Sequence, residues 1–151
     1  MAIEQTLATS FKVEILDGIH NFGTGVIRAT TAADTFKIAL YTATATLNAT
    51  TTVYTTDNEV TGTGYTAGGN TLTISQVPTS TNTETVAWLN FTDTSWPSST
   101  FSTAGALIYN STQGNKAVAV LNLGGTKTTA NQTFTVTFPA SSSSAALIRI
   151  T

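Results

Sequence analysis

Seven short segments with the patterning of β-strands, spaced by turn-forming stretches, constrain this chain more than any other feature. They are Phe36–Tyr41, Leu72–Val77, Thr85–Phe91, Ala104–Tyr109, Ala117–Leu123, Thr133–Phe138 and Ala145–Ile150. Successive side chains of a strand point to opposite faces, so a half-buried strand alternates apolar and polar residues. Phe36, Ile38 and Leu40 alternate in this way with Lys37, Ala39 and Tyr41, which predicts a strand with one buried face. Ala104–Tyr109 and Ala117–Leu123 are apolar on both faces, and are expected to lie centrally or to carry a face used in oligomer contact. The stretches Pro78–Asn82, Asp93–Ser99, Asn110–Asn115, Gly124–Gln132 and Pro139–Ser144 read as turns. Thr42–Tyr54 fits a short helical turn or an extended run equally. The pattern predicts a mainly β fold: an antiparallel β-sandwich, jelly-roll or immunoglobulin-like, of about seven or eight strands.

One N-terminal α-helix is expected over Glu4–Ile19. Leu7, Phe11, Ile15 and Ile19 recur every four residues, Lys12 and Glu14 fall off that stripe, and Gly18 stands where a helix terminator belongs. Asn21–Asp34 mixes glycine with small polar residues and reads as a linker. The chain therefore divides into a helix and linker arm, 1–34, and a β-sandwich domain, 35–151.

A chain of 151 residues is the size of one ordinary domain and buries a core without staples. Its polarity comes from hydroxyls and amides: charged residues make up 9%, against about 25% in typical soluble proteins. Threonine suits strands, because its branched Cβ fits a pleated surface. The six basic residues are scattered and the net charge is −2, which argues against nucleic acid as a partner. There are no cysteines to form disulfides. Met1–Thr6 has no basic start ahead of an apolar run, so no secretory signal is expected, and no run approaches the ~20 apolar residues that cross a bilayer.

The stretch Thr55–Thr73, with Gly62, Gly64, Gly68 and Gly69 and the acidic pair Asp57 and Glu59, is too long and glycine-rich for a hairpin turn. It reads as a shaped surface loop, the usual place for recognition. Its glycines match neither phosphate-binding pattern, since no lysine follows them and a strand does, and turns with positive φ account for them. Asp57 and Glu59 lack the EF-hand spacing that would support Ca²⁺, and read as a solvated pair or as acceptors for backbone amides of the loop. Tyr65 is either an interface anchor or a lid folded back on the core. No metal or cofactor is expected.

Other candidates for chemistry have structural readings. His20, the only histidine, could pair with Asp17 or Asp34, yet no nucleophile elbow is present and it reads as a structural residue after the helix. Glu84 and Asp93 are the other carboxylate pair that a polysaccharide-cleaving enzyme would need, and both resemble turn or strand-edge residues. Trp88 and Trp96 flank the expected Asp93 turn and are predicted to close one end of the core. The glycosylation sequons at Asn48, Asn90, Asn110 and Asn131 are near chance in so threonine-rich a chain.

Ser10–Phe22, Phe36–Thr73, Gly105–Gly125 and Ala146–Ile150 together resemble, in that order, a family of small structural proteins of tailed-bacteriophage virions. The most specific part is FKIALYT, 36–42, joined to NEVTGTGYTAGG, 58–69; the stretch 23–33 is less regular. The resemblance implies a virion component without enzymatic activity. Its partners would be other virion proteins, the major capsid protein or tail proteins, with no nucleic acid or membrane, and it would form a homo-oligomer. A capsid decoration or cement role is the leading expectation, with a tail, collar or fibre component binding a host surface or saccharide as the alternative. The expected contacts are the stripe residues Leu7, Phe11 and Ile15 and the loop residues Asp57, Glu59 and Tyr65.

Overall fold

A computed structural model describes residues 3–8, 11, 15, 18–24, 33–79 and 86–150. The fold is mainly β, with antiparallel sheets. The strands are β1 (Thr6–Leu7), β2 (Phe36–Tyr41), β3 (Asn70–Thr71), β4 (Ile74–Thr79), β5 (Ala87–Phe91), β6 (Thr94–Asn110), β7 (Lys116–Val136) and β8 (Ile148–Ile150). One sheet has the order β1-β7-β6-β2-β3, the other β4-β5-β8. Aromatic contacts link them: Phe36 of β2 lies 5.9 Å from Phe91 of β5, and Phe22 stacks on Phe36 at 4.2 Å.

β2 coincides with the expected strand, yet both its faces are buried rather than one: Ala39 and Tyr41 are as enclosed as Ile38 and Leu40. It is an inner strand, and the Thr55–Thr73 loop folds over what would otherwise be an open flank. The doubly apolar segments Ala104–Tyr109 and Ala117–Leu123 lie in neighbouring strands at the middle of the large sheet, buried through Leu121.

Two expected turns are absent. The sequence predicts a turn at Asp93–Ser99, but β6 runs through it from Thr94; Gly124–Gln132 likewise falls inside β7. The resulting hairpin is long because serine and threonine can extend a strand as well as interrupt it. Across the outer half, Ser95 and Thr135 hydroxyls are hydrogen-bonded at 2.8 Å and Ser102 and Thr128 at 2.9 Å, while Trp96, Phe101 and Phe134 fill the opposite face. Irregularity is confined to bulges. Between the pairs Thr103–Lys127 and Gly105–Asn122, Ala104 alone faces Leu123, Gly124, Gly125 and Thr126, an excess of three residues on β7.

The helix expected over Glu4–Ile19 is not seen as a continuous element among the described residues, of which only Phe11 and Ile15 are helical. Its first turn is instead strand β1, where Thr6 pairs with Val120 and Leu7 with Ala119. Sheet pairing has overridden the helical period there, because the edge of β7 offers hydrogen-bond partners to an extended chain. Further on, 9–10, 12–14 and 16–17 lie outside the described residues. Gly18 does stand in a turn, at φ 68, with its N–H bonded to the Ile15 carbonyl at 3.0 Å. Ala8, Phe11 and Phe22 belong to the same core as β2, β6 and β7.

Candidate functional site

The glycine-rich loop is held by a single buried carboxylate. Residues 58–60 run beside the end of β2: the Val60 N–H donates to the Leu40 carbonyl at 2.9 Å, and the Thr42 N–H to the Asn58 carbonyl at 3.0 Å. Glu59 is opposite Tyr41 in this short antiparallel bridge, and only 8% of it is exposed. A buried carboxylate needs donors. Glu59 has three: the Tyr65 hydroxyl at 2.6 Å and the Gly68 N–H at 2.7 Å on Oε1, and the Tyr54 hydroxyl at 2.7 Å on Oε2.

Tyr65 adds a second link. Its hydroxyl oxygen accepts the Leu40 N–H at 2.9 Å while its proton goes to Glu59. Leu40 in β2 thus has its backbone donor met by a phenol where a neighbouring strand would ordinarily meet it. The ring packs against Trp96 and Phe101, so Tyr65 is a lid on the core, one of the two alternatives the sequence allowed. The remaining tyrosines also hold the loop: Tyr41 donates to the Thr55 carbonyl at 2.5 Å, Tyr109 to the Gly68 carbonyl at 2.8 Å, and Tyr109 stacks on Tyr54 at 4.6 Å. All four tyrosines of the chain therefore converge on this one segment.

Two glycines permit the close fit. Gly69 has φ 67, and a Cβ there would be driven into the Ile38 carbonyl; a Cβ on Gly62 would strike the Thr100 carbonyl of β6. These glycines answer to β2 and β6, not to a bound anion. Tyrosine acidity follows from the enclosure. Burial, reinforced by the Glu59 charge, pushes the Tyr109 hydroxyl up to about 12, and raises Tyr41, Tyr54 and Tyr65 further, with burial the largest cause in each.

The acidic pair is thus split between its two expected readings: Asp57 is exposed, with its N–H on the Thr55 hydroxyl at 3.2 Å, whereas Glu59 is internal and accepts a backbone amide of the loop, that of Gly68. Of the stripe, Phe11 is fully buried, and Leu7 and Ile15 pack against the core. The sequence held one unused signal for the Glu59 site: four tyrosines, two at the ends of apolar strands and two within twelve residues of a glycine cluster, are potential donors to an acid in that loop.

His20 belongs to a second enclosed polar set. Its Nδ1 lies 3.1 Å from Asn110 Nδ2, which also donates to Asp34 Oδ2 at 2.7 Å; Asn110 Oδ1 accepts the Thr112 and Gln113 N–H groups. The His20 ring packs 4.9 Å from Phe11. Asn110 stands between His20 and Asp34 and ties the two into one enclosed polar knot. Asp17 and Glu84 lie outside the described residues; Asp93 accepts the Phe138 N–H at 2.8 Å. Trp88 and Trp96 do not close one end of the core together. Trp96 sits with Tyr65 and Phe134, and Trp88 borders a cleft beside Phe11 and Leu89.

Among the described residues no three His, Asp or Glu side chains are grouped to hold a metal, and no helix is long and apolar enough to cross a membrane. No protein-family model, curated protein or solved structure matches the chain.

Proposed function

We propose that this chain is a structural component of a tailed-phage virion, a capsid decoration protein with a β-sandwich fold that docks on the assembled shell as an oligomer and acts by binding rather than by catalysis. The observation that carries the reading is the outer half of the β6–β7 hairpin. Its twenty residues, 94–103 and 127–136, contain one charge, Lys127. Beyond Asn122, β7 has β6 as its sole partner strand among the described residues. Ser95, Thr100, Ser102, Thr128, Thr133 and Thr135 are exposed along this ribbon. An uncharged hydroxyl surface packs against many neighbours without like-charge repulsion. The side chains with most chemical potential, Glu59, Tyr65 and His20, are meanwhile engaged in internal contacts. Decoration then stabilises the particle by mass action, since the protein binds only the assembled state.

This assignment puts docking on the ribbon rather than on Leu7, Phe11 and Ile15, of which Phe11 is fully buried and Leu7 and Ile15 are partly buried against the core. Thr128→Glu combined with Thr135→Glu is expected to lower occupancy on purified particles at least about tenfold, from buried like charges at the contact, with little change in melting temperature. Full occupancy of that variant would refute the docking surface. Copy number, read from a quantitative gel of purified virions, tests the position: hundreds of copies fit the shell, whereas a handful would place the protein at the tail, collar or fibre.

A further inference from the structure

A cleft of about 290 Å³ opens between Phe11, Ile15 and the stretch Gly18–Gly23 on one side and the β4-β5-β8 sheet on the other. Its walls are almost wholly apolar, with Phe11, Ile15, Trp88, Leu89, Ile148 and Ile150 among the residues that line it. A dry cavity of about 150 Å³ is enough to hold benzene, so this one has room for a chain or ring system about twice that size.

Two hydrogen-bond donors in its walls have no partner. Asn21 Nδ2 and Trp88 Nε1 are both closed off from water and unbonded, although Asn21 Oδ1 is engaged by the Gly23 N–H at 3.1 Å. Buried donors are costly when unmatched, and their pairing is a source of binding free energy that solvent does not supply here. The third such donor, Trp96 Nε1, lies in the packing beside Tyr65 and Phe134 and is not part of the cleft. Among the described residues no Lys or Arg lines the cleft, so a carboxylate would meet no cation there to compensate its lost hydration.

We propose that the cleft is a binding site for a small neutral molecule with a medium-length apolar chain and one carbonyl acceptor: a ketone, ester or amide of roughly eight carbons. The chain fills the space over Leu89 and Ile148, and the carbonyl oxygen, through its two lone pairs, accepts from both Trp88 Nε1 and Asn21 Nδ2 after each side chain turns its closed-off donor toward the cleft. This inference stands apart from any virion role.

The probes are 2-octanone, octanoate and octylammonium, which share an apolar chain and differ in the head group: a neutral acceptor, a charged acceptor and a charged donor. Binding is followed in the ¹H–¹⁵N spectrum, where the chain gives two indole signals. 2-Octanone is expected to shift the Trp88 signal downfield and leave Trp96 in place. Octanoate should bind more weakly, and octylammonium at least about tenfold more weakly, as one lost hydrogen bond implies. Trp88→Phe and Asn21→Ser, each checked for an unchanged spectral dispersion, should weaken 2-octanone. Equal binding of all three probes, or no movement of Trp88 at millimolar 2-octanone, overturns the proposal.

Discussion

The loop and the cleft both place polar side chains inside the molecule, and they differ in how completely those groups are matched. Around Glu59 both carboxylate oxygens are taken, and the Tyr65 hydroxyl both gives and receives. Around the cleft, Asn21 Nδ2 and Trp88 Nε1 are left over. The loop carries the glycines and acids that ordinarily suggest a site, yet its hydrogen bonding is closed upon itself. The cleft shows nothing in the sequence but common apolar residues, and its bonding is open. A complete set of partners describes architecture; an incomplete one describes capacity.

Substitutions separate the two regions by size of effect. Glu59→Ala should be the most damaging, because it strands the Tyr54 and Tyr65 hydroxyls and the Gly68 N–H together; with about 1–3 kcal/mol for each unmatched buried group, a loss of roughly 3 kcal/mol or more is expected in denaturant unfolding. A loss under about 1 kcal/mol would mean that the loop is not anchored through its carboxylate.

Alkaline pH tests the same anchor without mutation. All four tyrosines are held neutral in the folded protein by burial, with Tyr109 at about 12 and the others higher. In the unfolded chain they release protons near pH 10. The unfolded state therefore binds fewer protons above that point, and stability falls as pH rises. Stability should show no tyrosine-linked loss below pH 10 and decline beyond it, with phenolate absorbance appearing together with unfolding. Phenolate absorbance with a midpoint near pH 10, before the fold is lost, would contradict the enclosure.

The smallest effect belongs to the cleft. Asn21→Ser removes an unmatched donor and keeps an oxygen for Gly23, so the stability change should stay within about 1 kcal/mol by thermal melting. A loss comparable with that of Glu59→Ala would show that the amide donates to something within the fold, and would erase the contrast.

Much of the sheet was legible because alternation reports burial directly: β2 starts and ends where Phe36–Tyr41 predicts, and the two doubly apolar segments are the central ones. The outer hairpin was not. Thr94–Thr103 and Lys127–Val136 are built from residues equally at home in turns, and what decides for strand is the facing of Trp96 by Phe134 and of Ser102 by Thr128, a relation between positions more than twenty residues apart. The helical stripe misled at its start for a similar reason, since Thr6 and Leu7 respond to the edge of β7 rather than to their own neighbours. Glu59 was visible as an acid, but its meaning depended on where four tyrosines would meet. The two orphaned donors had no local signature at all.

The excess of residues 123–126 over Ala104 has a practical side. Pairing does not dictate chain length there, Gly124 and Gly125 are exposed at φ 71 and 102, and a side chain added at either would meet nothing within 4 Å. The strand on both sides of the bulge is clamped by its hairpin partner. A peptide spliced between these two glycines would leave the ladder intact and project from the sheet, which makes the bulge a port through which foreign sequence can be displayed.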